Sequence, residues 1–462
     1  MVARLSNVLN RDGLKANMKM LLRRALITGL YAPQAVRNRV GGRGKGGRPG
    51  PERPDYGREA NSEIGIEIER IVVIRPDHLG DLLFATPALQ VLREAFPSAH
   101  ITGLVGPWGR AMWADNPSLD ALGVVHFPGI SGGQRDAGRG PLWPYILLGV
   151  VGRRLARHGY DLGIVLRFDH WWGAAALWTA GTPNRWGYAT PGMSWWLTHP
   201  VKYVPGRHEV EQNLRLVEAV VRRLAPGSVR GPLDINRREG RPPLRPPRPT
   251  VPPQALVERM ASWLAAPRRV VIHPGTGAAN KLWTVAGWAQ VAARLAFEGW
   301  AIAITGSPSE QELAQAIESA YMDALAREIA TIDVDRLRTA STHRFAVCNL
   351  AGHTDELGQL VWILEQAHLV LGVDSGPLHI ASALGKPTLH LHGPSDEAVW
   401  GPWGDPRLHR VVRAPGTLPT GRLDVGSHAL EGGPQMRAIT PDMVMAALDD
   451  MLLQMGRLHQ AL

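Results

Sequence analysis

The segment Val373-Asp374-Ser375-Gly376-Pro377-Leu378-His379 brings small residues, a carboxylate and an imidazole together. It falls where an apolar strand, His368 to Val373, gives way to a helix, Leu378 to Leu384. A helix start leaves backbone N–H groups without partners, and such groups attract a phosphate. Ser375 and Gly376 let a diphosphate approach closely, while Asp374 and His379 add side chains that can fix a ligand. The segment reads as an anion site with polar selectivity.

A second turn of the same design lies far upstream, at Arg75-Pro76-Asp77-His78-Leu79-Gly80-Asp81, with Thr86-Pro87-Ala88-Leu89 inside the helix that follows. Gly80 suits a tight turn. Asp81 falls in the first helical turn at the mouth of the sheet, where a carboxylate can take a proton from an acceptor hydroxyl. An aspartate there can also do no more than cap helix N–H groups. Pairing with the downstream segment, in a second domain, favours catalysis. The third constellation is His273-Pro274-Gly275-Thr276-Gly277-Ala278-Ala279-Asn280-Lys281-Leu282-Trp283. Thr276 and backbone N–H groups can hold phosphate oxygens, and Lys281 can neutralise charge on a departing diphosphate. Its bland counterpart is an ordinary connection carrying a surface lysine.

The elements that must position these residues follow from hydrophobic patterning. Arg70 to Arg75, His100 to Val105, Val124 to Phe127 and Leu162 to Leu166 read as strands separated by helical stretches, the first helix running from Asp81 to Ala95. After Pro242-Pro243-Leu244-Arg245-Pro246-Pro247-Arg248-Pro249, a stiff linker by composition, the alternation restarts. Strands are expected at Val270 to His273, Ala301 to Gly306, a run ending at Val373, and Pro387 to His392. Helices are expected at Val285 to Glu298, Ser309 to Ala320 and Asp355 to Gln366, with a closing helix from Met443 to Leu458. The fold class is α/β: two Rossmann-like, doubly wound domains facing a central cleft, with function at the carboxyl ends of the strands. The expected divisions are an extension over 1–65, a first Rossmann-like domain over 66–240, the linker over 241–255, a second Rossmann-like domain over 256–440 and the closing helix over 441–462. Trp171 and Trp172 follow the strand ending near Phe168, which places them, with Asp77 and His78, on the acceptor side.

The 462 residues are 45% hydrophobic and carry a net charge of +10 with a single cysteine, Cys348. A disulfide within the chain and a cysteine zinc site are therefore excluded, and a reducing, cytoplasmic compartment is the simple reading. No apolar run approaches a membrane span. The basic balance alone fits nucleic acid, an anionic membrane or a phosphorylated substrate, but zinc-finger, RNP and basic-zipper patterns are missing, which argues against nucleic acid. Met18 to Ile27 reads as a short basic amphipathic helix ahead of the low-complexity run Gly41 to Pro49. This extension is either a solvated tail or a peripheral contact with the anionic inner membrane.

Taken in order, these pieces resemble glycosyltransferase family 9, the heptosyltransferases of lipopolysaccharide core synthesis. The resemblance runs from Arg70 to Leu448. It rests on Ile71 to Arg75 with Gly80-Asp81 and Thr86 to Leu89, on His208-Glu209-Val210-Glu211-Gln212-Asn213, and on His273-Pro274-Gly275 with Lys281-Leu282-Trp283. Asn349-Leu350-Ala351-Gly352, Asp374 to His379 and Gly393-Pro394-Ser395-Asp396 complete it. It implies a GT-B fold and metal-independent, inverting transfer from an ADP-heptose-type donor to a lipid-linked saccharide. Asp81 would be the base, Lys281 would meet the diphosphate, and Asp374, Ser375, Gly376 and His379 would bind donor sugar and phosphates. Departures from the family pattern are the basic extension and two insertions, Gly129 to Pro141 and Asp323 to Phe345.

Other signals are weaker. Gly42 to Gly47 fits a dinucleotide fingerprint but follows no strand, so it is read as chance. Asp333-Val334-Asp335 mimics a metal-binding Asp-x-Asp yet sits in a polar stretch, and His390 and His392 share a strand face better suited to core than to metal. The competing functions are transfer from another nucleotide sugar to a different glycan, a non-catalytic sugar-nucleotide binder, and an NAD oxidoreductase.

Overall fold

The computed structural model describes residues 20–31, 67–130, 140–228, 242–330, 347–421, 423–424 and 430–461. Two six-stranded sheets organise the chain, every neighbouring pair of strands being parallel. The first holds β1 (Arg70–Arg75), β2 (His100–Val105), β3 (Ala121–Val124), β4 (Leu162–Val165), β5 (Asn184–Tyr188) and β6 (His199–Val201), in the order β3-β2-β1-β4-β5-β6. The second holds β7 (Arg269–His273), β8 (Ala301–Ile304), β9 (Val347–Asn349), β10 (Leu369–Val373), β11 (Thr388–Leu391) and β12 (His409–Val412), in the order β12-β11-β10-β7-β8-β9. Counted from its own first strand, each sheet has the same winding. In both, the strand order reverses between the first and fourth strands, where doubly wound sheets open a crevice for ligands.

The central strands are apolar on both faces because helices cover both faces. Ile71 and Val73 point into one cluster with the helices Thr86–Ala95 and Glu209–Leu224, while Val72 and Ile74 point into another with Trp143–His158 and Trp171–Ala180. The first of these clusters continues through Phe84, Leu244 and Leu378 to Val271 and Val370 of the second sheet. The proline-rich connection is seated rather than free: Leu244 is buried, the Arg245 N–H donates to Thr86 Oγ1 at 2.9 Å, and the Thr250 N–H donates to the Gly358 carbonyl at 2.9 Å. The last helix, Pro441–Ala461, packs Val444, Leu448 and Met451 into the core of the second sheet. Among the described residues no helix is long and apolar enough to cross a membrane.

Several expected boundaries move. The helix expected over Asp81 to Ala95 is two, Leu79–Phe84 and Thr86–Ala95. Pro87 has no N–H for the Leu83 carbonyl, which accepts the Thr86 hydroxyl instead at 2.7 Å, and the axis breaks at Ala85. Strand β3 begins at Ala121 rather than Val124, and the helix expected to end at Ala320 runs on to Ala330. Residues 20–31 are helical and docked on the first sheet's helical layer, with Ile27 fully buried, so this part of the extension is not a solvated tail. Gly41 to Pro49, Asp333 to Asp335 and most of both insertions lie outside the described residues.

Candidate active site

The turn after β1 carries a buried charge network. Arg75, 2% exposed, ends the strand with its guanidinium against Asp77 (2.5 Å), Glu209 (3.0 Å) and, more loosely, Asp81 (3.5 Å). It also donates to the Leu166 carbonyl at 2.8 Å and to Asn213 Oδ1 at 3.0 Å. Arg167, just past β4, reaches the other oxygen of Asp77. Burial raises the Asp77 pKa, but the two arginines outweigh it and hold the carboxyl below its usual range. Asp77 is thus a clamped structural anion. Its assignment to the acceptor side gives way to that role, because it is 1% exposed and both carboxylate oxygens are engaged.

Asp81 differs. Its side chain is 26% exposed, and its pKa is raised, first by burial and then by the Asp77 charge, against the opposing pull of Arg75. A carboxylate held short of full compensation is a good proton acceptor. It belongs to the first turn of the helix Leu79–Phe84, and His78, the residue before that helix, makes no capping hydrogen bond through its side chain. The His78 ring stacks at 6.2 Å on Trp108, whose indole N–H donates to the Asp77 carbonyl at 2.6 Å.

The facing constellation comes from the second sheet. Asp374, just beyond β10, is 5% exposed and accepts from Lys281 Nζ at 3.0 Å through one oxygen, while His379 Nε2 lies 3.2 Å from the other. Burial would raise its pKa, but Lys281 and the His379 hydrogen bond hold it well below the carboxylate range. Thr276 Oγ1 donates to the Asp374 carbonyl at 3.4 Å. Ser375 caps the helix Gly376–Ala383 with extended backbone, and its hydroxyl, buried, has no partner among the described residues. His379 Nδ1 is likewise buried without a partner. Both residues line the cavity described next, and each keeps an unspent hydrogen-bonding atom beside it.

A cavity of about 780 Å³ joins the two walls. His78, Gly80, Asp81, Phe84 and Trp108 line one side; Thr276, Lys281, Asp374, Ser375, Gly376 and His379 line the other. The two helix starts touch across it. A Cβ on Gly80 would lie 3.0 Å from His379 Cδ2, and one on Gly376 would lie 2.9 Å from Leu79 Cβ. Gly80 therefore serves close approach of the two units, not the tight turn expected of it: it sits within a helix and has no positive φ. The rings of Phe84 and His379 meet at 4.6 Å, and His208 Nε2 lies 3.0 Å from the Gly401 carbonyl.

Trp172 does not reach the cavity: it is 1% exposed in the core, donates to the Pro144 carbonyl at 2.8 Å and meets Phe127 edge to face. Trp171 lies under the Arg23 guanidinium, 4.0 Å from its ring, and does not line the cavity. His390 and His392 are fully buried, as core histidines. Among the described residues no group of three or more His, Cys, Asp or Glu is placed to hold a metal ion. The sequence reading missed the role of Arg75, Arg167, Glu209 and Asn213, and the cavity walls Trp108, Glu310, Glu356 and Trp400. Arginines at the ends of two neighbouring apolar strands were the available signal for the first set.

Comparison with known proteins supplies the family. The model of glycosyltransferase family 9 (heptosyltransferase) matches residues 149–414, more than half of the chain. The chain belongs to glycosyltransferase family 9. It is accordingly a glycosyltransferase, and its paired Rossmann-like units facing a cleft are the GT-B arrangement. Lipopolysaccharide heptosyltransferase 3 of Escherichia coli is 27% identical over 340 residues, covering 71% of this chain and 84% of that protein. Lipopolysaccharide heptosyltransferase 2 of Escherichia coli K12 is 26% identical over 398 residues, covering 83% and 99%. The solved structure of the E. coli ADP-heptose lipopolysaccharide heptosyltransferase II shares the fold, with a TM-score of 0.56, 21% identity, and coverage of 84% of this chain and 99% of that one.

Proposed function

We propose that this family 9 enzyme transfers a heptose from an ADP-heptose donor to a hydroxyl of a lipopolysaccharide core-type acceptor, inverting the anomeric centre without a metal. The observation that carries the reading is the cavity in which Asp81 faces Lys281, Asp374, Ser375 and His379. The names of the relatives supply the heptose, the ADP and the lipopolysaccharide. In the reaction, Asp81 accepts the proton of the acceptor hydroxyl as its oxygen attacks the anomeric carbon. The bond from that carbon to the diphosphate oxygen breaks on the opposite face, and ADP leaves. Lys281 and the backbone N–H groups at the start of the helix Gly376–Ala383 meet the charge that builds on the diphosphate. Asp374 orients Lys281 and His379 rather than touching donor itself, since both its oxygens are occupied. His78 and Trp108 flank the acceptor entrance. Because the acceptor is lipid-borne, the enzyme works at the inner face of the cytoplasmic membrane.

Calorimetric titration of ADP, ADP-heptose, UDP and GDP, followed by transfer assays with the anomeric product read by NMR, tests the reading. ADP-heptose should bind in preference to the others and yield the inverted glycoside. Preference for UDP or GDP would move the donor, a retained configuration would remove the single displacement, and no nucleotide binding would leave a non-catalytic relative.

A further inference from the structure

Helix 20–31 covers the same face of the first sheet as Trp143–His158 and Trp171–Ala180, because Ile27, Val72, Leu148 and Trp172 share one core cluster. Tyr31 closes the contact: its hydroxyl donates to the Tyr145 carbonyl at 2.7 Å, and its ring lies where a Cβ on Gly149 would come within 2.6 Å. The sides of these two helices turned away from the sheet are unlike ordinary water-facing surface. On the first, Leu22, Leu26 and Leu30 follow an i, i+4, i+8 stripe and are 67, 37 and 55% exposed. On the second, Leu142 at the cap, Ile146 and Val150 repeat that spacing at 60, 55 and 57%. A solvated amphipathic helix puts polar residues on this side.

The two helices carry charge of one sign. Neither helix contains an aspartate or glutamate, and both carry arginine: Arg23 and Arg24 on the first, and Arg153, Arg154 and Arg157, all exposed, on the second. Trp195, 55% exposed, holds the Arg24 guanidinium 4.9 Å from its ring. Isolated exposed leucines need no explanation, but aliphatic stripes on two packed helices, rimmed by cations and an amphipathic indole, mark an interaction surface. Aliphatic stripes, arginines without acidic neighbours on the same helices and an exposed tryptophan together match the headgroup region of an anionic bilayer.

We propose that the outer faces of helix 20–31 and of Trp143–His158, with Trp195, form one docking surface for an anionic lipid bilayer. It rests on the functional reading above only in that a lipid-borne acceptor has to be met at a membrane. The surface also joins an element of the extension to the domain that carries Asp81, so docking holds that domain at the lipid.

The test is co-sedimentation of the full chain with vesicles of phosphatidylethanolamine and phosphatidylglycerol, against vesicles of phosphatidylcholine alone. The wild-type chain should bind the anionic vesicles and not the neutral ones. Ile146→Ser with Val150→Ser should weaken partitioning about tenfold or more, and Arg153→Glu with Arg154→Glu should weaken it and flatten its salt dependence. Transfer to a delipidated, soluble acceptor should stay unchanged in both, since neither pair lines the cavity. Unaltered partitioning in both variants overturns the proposal. So does a wild-type chain that binds neither kind of vesicle; sedimentation velocity then tells whether a second copy covers the face instead. Vesicle binding without any heptose transfer would leave the surface standing and remove the donor assignment.

Discussion

Asp81 and Asp374 both stand beyond the carboxyl end of a strand that borders the reversal point of its sheet, Asp81 after the first strand of one and Asp374 after the fourth of the other, yet the two sheets treat them in opposite ways. Asp374 is 5% exposed and saturated by Lys281 and His379, and its pKa falls well below the carboxylate range. Asp81 keeps a quarter of its side chain in contact with the cavity, has only a 3.5 Å ion pair, and shares its neighbourhood with the Asp77 anion, so its pKa rises. A fully paired carboxylate organises other groups, whereas one left short of compensation is ready to take a proton. Within the first sheet the contrast recurs between Asp77 and Asp81: Arg75 and Arg167 are committed to Asp77, and Arg75 is also claimed by Glu209.

That contrast is broken most severely at Asp81. Asp81→Asn should lower kcat by about 10²- to 10⁴-fold, the usual worth of a general base, while the donor dissociation constant stays within about twofold. A variant with near-normal turnover would show that the acceptor proton leaves by another route. Lys281→Met should act in the opposite sense, weakening donor binding by about 10- to 100-fold, as expected for a charge-assisted contact. It also strands Asp374, so thermal stability should drop with it. Unchanged donor affinity with a lowered melting temperature would reduce Lys281 to a structural counter-ion.

Much of this architecture was legible in the residues. The central strands β1, β2, β4, β7, β8, β10 and β11 are largely apolar runs because parallel strands covered on both faces bury nearly every side chain, the exceptions such as Thr388 and His390 of β11 being hydrogen-bonded to one another. The last two strands of the first sheet, β5 and β6, were not legible. At the edge, His199-Pro200-Val201 is three residues with a proline, and its inner neighbour Asn184-Arg185-Trp186-Gly187-Tyr188 hides its period behind an arginine and a glycine. At the site, Asp81, Lys281, Asp374 and His379 were chosen by type and by place at strand ends, and the fold gathers them around one cavity. Trp172 and Asp77 were misjudged for one physical reason. Sequence position puts a residue at the cleft end of a strand but does not say whether its side chain turns to the cavity, to the core or to an arginine.

Gly80 tests how closely the two walls must approach. Gly80→Ala puts a Cβ 3.0 Å from His379 Cδ2, tight enough that the ring or the helix has to yield by a few tenths of an ångström. With the catalytic groups retained, kcat should fall by only about threefold to tenfold, in keeping with a small misplacement. A loss as large as that of Asp81→Asn would mean that the junction of Leu79–Phe84 with Gly376–Ala383 sets catalytic geometry outright.

The smallest effect separates the two carboxylates by melting temperature rather than by turnover. The folded pKa of Asp374 lies below its unfolded value of about 3.9, so its ionisation adds stability above that pH, lost only as pH falls through the lower folded value. The folded pKa of Asp81 lies above its unfolded value, so its contribution is present in acid and lost as pH rises through the folded pKa; at neutral pH its charge costs stability. Asp81→Asn should therefore raise the melting temperature at pH 7 by a few degrees. Asp374→Asn should lower it at the same pH, and that loss should shrink as the medium is acidified below about pH 4. If both substitutions moved the melting temperature in the same direction at pH 7, the opposite electrostatics of the two strand ends would be wrong, and with it the ground for naming Asp81 rather than Asp374 as the base.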